Sequence, residues 1–103
     1  AGRAEVPVSG MVGGILISGV IDRLLVTDVK ITIVDFKTGT PPGPGQPLPE
    51  AYTRPLALYS GLMQQIWPGR AVEAGVVFTE DASIHWADRA EMDTVLAGMA
   101  DPS

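Results

Sequence analysis

The stretch that most constrains this chain is Ser18 to Gly39, SGVIDRLLVTDVKITIVDFKTG. Two apolar, β-branched runs flank Thr27 to Lys30, a pattern that reads as an antiparallel hairpin turning there. A two-residue and a four-residue loop give the same register, which puts Asp22 directly opposite Asp35. Opposed Cβ atoms on one face of such a pair lie about 4.5 to 5.5 Å apart, where like charges repel. Side chains alternate between faces, so Asp35, Lys37 and Asp22 share one. The same alternation adds Leu16, Val20, Leu24, Val26, Ile31 and Ile33 to that face. Two carboxylates and an ammonium thus gather in an apolar wall, where an uncompensated carboxylate is costly or becomes neutral. A lone Asp-x-Lys is adequately explained as an ion pair closing a hairpin. Two facing carboxylates call for a further positive group, and a divalent cation supplies one.

Composition narrows which cation that is. The 103 residues include no cysteine, which excludes disulfides and thiolate metal sites. The remaining carboxylate and carbonyl oxygens suit Mg²⁺ or Mn²⁺. At 46% hydrophobic and 18% charged, the chain is expected to form one folded domain over residues 1–103. No apolar run approaches the roughly 18 residues of a membrane span, and no signal pattern opens the chain, so a soluble, intracellular protein is expected. The net charge of -5 is unlike that of a protein that grips phosphates unaided, which carries a basic stripe.

Taken in order, Glu5 to Val12 with Pro7 reads as an edge strand, followed by a Gly13-Gly14 turn and a long strand from Ile15 to Val26. Gly19 inside that strand predicts a bulge or a close backbone approach. Ile15, Ile17, Ile21 and Leu25, with Val34 and Phe36 on the partner, make the second face apolar too, so a sheet covered on both sides is expected. Residues 40–50 form the body of a Pro/Gly-rich loop that begins at Thr38. Ala51 to Trp67 has helical periodicity, and Pro55 either places its N-cap near Thr53, with Tyr52 ahead of the helix, or bends the helix there. Ala71 to Thr79 and Ser83 to Trp86 read as strands, and Asp88 with Glu91 opens a last helix that covers the sheet. The fold class is α/β (α+β): a mixed central sheet with an antiparallel hairpin, flanked by helices. His85, the sole histidine, reads as a packed strand residue. Phosphate-binding glycine loops and a serine-nucleophile elbow are missing.

Three motifs in succession, G-V-I-D-R-L from Gly19, V-D-F-K-T-G from Val34 and Y-x-x-P-L-A-L-Y from Tyr52, resemble those of RecB-type nucleases in the PD-(D/E)XK superfamily. The run through W-P-G-R is most similar to the C-terminal nuclease domain of AddA-type double-strand-break repair helicase-nucleases. The resemblance spans roughly Gly10 to Thr79. It implies a restriction-endonuclease-like core and a Mg²⁺-dependent (or Mn²⁺-dependent) DNA exonuclease domain, a C-terminal fragment of a larger bacterial, cytoplasmic helicase-nuclease. It also implies that Asp22, Asp35 and the Phe36 backbone carbonyl bind the metal, that Lys37 positions or activates water and that Tyr59 lies beside the site. DNA, the helicase domains of the same polypeptide and a second subunit are the implied partners. The alternative is a catalytically inactive nuclease-fold module used for partner docking or DNA guidance. A small β-rich binding domain has only the sheet pattern in its favour.

Overall fold

A computed structural model describes residues 2–100; Ala1 and residues 101–103, the ends of the expected domain, lie outside the described residues. The elements run β1 (Gly2–Val12), β2 (Ile15–Val26), β3 (Lys30–Lys37), α1 (Glu50–Ile66), β4 (Ala71–Phe78), β5 (Ser83–Trp86) and α2 (Arg89–Ala100). The strands form one five-stranded sheet in the order β1-β2-β3-β4-β5. All neighbours are antiparallel except β3 and β4, which are parallel. Parallel neighbours need a long crossover, and the loop with α1 supplies it.

Local chemistry sets the turns. Gly13 and Gly14 both adopt positive φ, 57° and 79°, the backbone that a tight hairpin between β1 and β2 demands. Between β2 and β3, the Thr27 hydroxyl accepts the Lys30 N–H at 3.0 Å while the Thr27 N–H donates to the Lys30 carbonyl at 2.9 Å. Pro7 lies on β1, an outer strand of the sheet, where a missing N–H costs no ladder bond.

The expected hairpin register holds over Arg23↔Val34 to Val26↔Ile31. There the ladder ends, one pair short of Asp22 and Asp35, so β2 pairs with β1 alone from Ile15 to Ile21. At this point the inward-facing positions of β2 also change phase. Ile17 and Ile21 are buried on one side of it, and Leu24 and the half-buried Val26 continue inward on the other. Opposite, Glu5 has a left-handed backbone, φ 51°, between the pairs Ala4↔Arg23 and Val6↔Ile21. The expected apolar wall is more open than its composition suggests: Leu16 and Val20 are 65% and 51% exposed, although Val20 does line a cavity with Asp35 and Lys37, as expected.

The core lies between one face of the sheet and α1. Ile31, Ile33, Val72, Ala74, Val76 and Phe78 pack against Leu56, Ala57, Leu62 and Met63. The helix α2 packs chiefly on α1, with Leu96 against Gly61. Arg89 locks the two helices to β4, donating to the Val72 carbonyl at 2.9 Å and to Ser60 Oγ at 3.4 Å. The last helix therefore buttresses α1, where it was expected to cover the sheet itself. The opposite face carries Leu25, Phe36, Ile84 and Trp86, each at least 43% exposed, which corrects the expectation of cover on both sides. The smallest extent of the molecule, 22 Å, is the thickness of one sheet and one helix layer.

Candidate active site

The ladder end is where the charged groups meet. With β2 and β3 diverging, the Phe36 N–H bonds to the Asp22 side chain instead of a main-chain carbonyl, at 2.9 Å to Oδ2. Asp22 and Asp35 lie within hydrogen-bonding reach of each other. Lys37 Nζ is 3.0 Å from Asp35 Oδ2. The Lys37 backbone is fixed by Thr79, whose N–H and hydroxyl both donate to its carbonyl, at 2.9 and 3.2 Å. Asp22, Asp35 and Lys37 are thus brought together, although Asp22 reaches the cluster from the phase change of β2.

The electrostatics of the two carboxyls diverge. Burial and then the neighbouring Asp22 push the Asp35 carboxyl above the ordinary carboxylate range. The hydrogen bond from Asp35, joined by the Phe36 N–H, holds Asp22 below it. A proton shared by the pair therefore resides on Asp35. The hydrogen bond to Asp35 raises the Lys37 ammonium. This is the pattern of two like charges held too close for both to ionise freely, and it marks a place where added positive charge is stabilising.

The α1 helix forms the other wall, beginning earlier than its proline suggests. Pro49 occupies the N-cap position, the Thr53 N–H donates to the Pro49 carbonyl at 3.2 Å, and Pro55 lies inside the helix. The first turn is complete before Pro55 leaves the Ala51 carbonyl without a main-chain donor. Tyr52 is consequently helical, contrary to expectation, and sits over the site. Lys37 Nζ is 5.7 Å from its ring centroid, and the ring packs edge-on against Phe78 at 5.8 Å. Tyr59, two turns on, lies against Gly19, where a Cβ would overlap the tyrosine hydroxyl. Of the two readings of Gly19, close approach is the one observed. A cavity of about 110 Å³ between these walls is lined by Asp35, Lys37, Tyr52, Pro55 and Tyr59 among others. The spacing of Tyr52 and Tyr59 is a helical signal, obscured by placing the N-cap near Thr53, four residues after Pro49.

Phe36 directs its side chain to the open face, 43% exposed, away from the carboxylates. His85 lies on the inner face, in a row with Val76 and Asp35. Its ring meets Phe78 at 5.3 Å, and its Nε2 is 3.0 Å from Ser83 Oγ, which donates to Asp81 at 2.5 Å. Because that hydroxyl gives its proton to Asp81, His85 Nε2–H is the donor to Ser83.

The comparisons with known proteins agree with this geometry. A family model described as the PD-(D/E)XK nuclease superfamily matches residues 2–99. The chain belongs to the PD-(D/E)XK nuclease superfamily. A solved structure described as "Crystal structure of SSO0001" superposes with a TM-score of 0.52 at 18% identity, over 95% of this chain and 48% of that one. At that identity the likeness is one of fold, and this chain spans about half of its length. No curated protein matches the chain. The five-stranded mixed sheet with its helices is the fold of a PD-(D/E)XK domain, in a superfamily whose members are typically nucleases and generally use divalent metals. Among the described residues, no three His, Cys, Asp or Glu side chains are gathered to hold a metal. Two carboxylates still fit Mg²⁺, which usually takes one or two and fills its remaining positions with water and substrate phosphate.

Proposed function

We propose that this chain is a Mg²⁺-dependent or Mn²⁺-dependent DNA exonuclease module, the nuclease domain of a double-strand-break repair helicase-nuclease of the AddA type. The observation that carries the reading is the convergence of Asp22, Asp35 and Lys37 at the divergence of β2 and β3. The motif order, which resembles that of RecB-type nucleases, supports the finer assignment. Motor domains of the same polypeptide, and a second subunit, would deliver the strand that a net charge of -5 does not attract. No helix among the described residues is long and apolar enough to cross a membrane; the cytoplasmic, bacterial setting proposed rests on the resemblance to AddA-type enzymes.

Asp22, Asp35 and the Phe36 carbonyl would hold the ion. When bound, it supplies stabilisation of developing phosphoryl charge and a more acidic water. The chain's own groups do the rest. A bound cation would offset the burial and the Asp22 charge that oppose ionisation of Asp35, so that both carboxylates could be charged together. Lys37, anchored through Asp35 and by Thr79 at its carbonyl, places its ammonium beside the water that adds to phosphorus. The P–O bond to the departing sugar then breaks, leaving a phosphate monoester and a hydroxyl. Lys37 offsets charge on the equatorial oxygens during that step. Tyr52 and Tyr59 wall the site on the helix side.

The test pairs cleavage with binding. Asp35→Ala and Lys37→Ala, in the full-length polypeptide with Mg²⁺ or Mn²⁺, are expected to lower cleavage at least about a hundredfold; unchanged cleavage sinks the assignment. Calorimetric titration with Mn²⁺ is expected to show uptake that Asp22→Asn abolishes. One observation favours a second reading, an inactive module for partner docking or DNA guidance. The cluster satisfies itself without an ion, through Phe36 N–H to Asp22 and Lys37 to Asp35. Absence of Mn²⁺ uptake in the full-length protein would select that reading.

A further inference from the structure

The site cavity does not end at Tyr59. Past Tyr59 and Pro55, which line both, a second cavity of about 350 Å³ opens between α1 and the part of β2 that pairs with β1 alone. Its walls are apolar: Leu16, Pro55, Leu58 and the Tyr59 ring, with Ser18 at the strand. Leu16 is 65% exposed and joins Pro55, Leu58 and the Tyr59 ring in one contiguous apolar lining, the kind of exposed patch that marks a binding groove. One cation lines the groove. Arg54 is exposed and has no ionic or hydrogen-bonding partner among the described residues, whereas Lys30, Lys37 and Arg89 each have a carboxylate. A guanidinium fork matches a phosphate in two parallel hydrogen bonds.

Apolar walls with one free guanidinium divide as a nucleotide does, into a base that stacks and a phosphate that needs a cation. We propose that this groove is the subsite for the nucleotide flanking the scissile phosphate, with Arg54 as the residue that positions its phosphate. The inference rests on the nuclease reading of the Asp35 and Lys37 site, because the occupant is identified by continuity with that site. It goes further by naming a strand path: along the unpaired edge of β2, beneath α1, to Lys37. In a chain of net charge -5, phosphate recognition is concentrated at a few such positions.

The test measures anisotropy of a labelled short oligothymidylate on the full chain at low salt, with Ca²⁺ present, beside Mn²⁺ calorimetry on each variant. Arg54→Ala is expected to weaken oligonucleotide binding about tenfold and to flatten the salt dependence by close to one phosphate contact, with Mn²⁺ uptake as in the wild type. Leu16→Glu, at an exposed position that does not burden folding, is expected to weaken the same binding. Arg3→Ala, an exposed cation on β1 that lines neither cavity, is expected to change nothing. Wild-type binding by Arg54→Ala with Mn²⁺ uptake intact overturns the subsite, leaves the groove to a protein segment and leaves the metal site standing. Failure of the wild-type chain to bind the strand, again with Mn²⁺ uptake intact, overturns it likewise. Loss of Mn²⁺ uptake in the wild type removes the nuclease reading and the subsite together.

Discussion

The Asp35 carboxyl bears the conflict at the centre of this chain. Its charged form is opposed by burial and by Asp22, so the folded state holds its proton more tightly than the unfolded chain does. A raised folded pKa contributes stability fully present below the unfolded value and lost as pH rises through the folded one. Asp35→Asn removes that titration. Without metal, the variant is expected to be the more stable protein at pH 7, by about 1 kcal/mol, with its advantage shrinking as pH falls below the carboxylate range. Thermal unfolding at pH 3.5 and pH 7 checks this; an advantage that grows at the lower pH contradicts the assignment of the shared proton. Gly19 offers a second test of single-residue packing. A methyl group there meets the Tyr59 hydroxyl first and the ring carbon bearing it second, so Gly19→Ala is expected to cost about 1 to 3 kcal/mol. Adding Tyr59→Phe should restore part of that loss, as a denaturant double-mutant cycle would show.

Among the elements, α1 is where sequence and structure part most instructively. Its periodicity gave its existence and its buried face, yet Pro55 drew the expected start to Thr53. A proline N–H is missing wherever the proline sits, and sequence alone does not say which carbonyl can do without its donor. Here it is Ala51, at the wall of the cavity. Pro55→Ala restores the donor and is expected to stabilise α1 by about 1 kcal/mol, the helix gain being partly offset by a freer unfolded chain; an unchanged denaturation midpoint would mean that the Ala51 carbonyl is already satisfied. The strands were more legible. The β2–β3 register followed from the turn at Thr27 to Lys30 and brought Asp22 near Asp35, although the ladder ends one pair before them and Asp22 reaches the cluster through the phase change of β2. The phase change beside Glu5 was not legible, because both faces of β2 are apolar and either could face inward. That ambiguity hid how open the wall is at Leu16 and Val20, which are 65% and 51% exposed.

At the scale of the molecule, the two-layer build leaves one sheet face open, and Phe36, Ile84, Leu25 and Trp86 meet water there. A polar alternation would have predicted the open face, and this chain lacks one. Trp86 lies across Gly75, where a Cβ would contact its ring, so the patch is packed laterally but uncovered from above. Ile84→Lys, on the outer strand β5, is expected to raise solubility while moving Tm by no more than the effect of about 0.5 kcal/mol. Light scattering against concentration, with a thermal melt, checks both. A large fall in Tm would show that Ile84 is held by packing that its exposure does not reveal.

The connection from Thr38 to Pro49 divides the molecule in a way that reaches beyond its role as a crossover. Every charged member of the cluster precedes it, and Tyr52, Arg54, Pro55 and Tyr59 all follow it. The reactive groups are therefore encoded before this connection and the helix wall of the groove after it, with Leu16 and Ser18 of β2 supplying the facing wall. A chimera carrying a related α1 in place of residues 50–66 would inherit new preferences with its old reactive groups undisturbed, so such a domain can be retuned without being rebuilt.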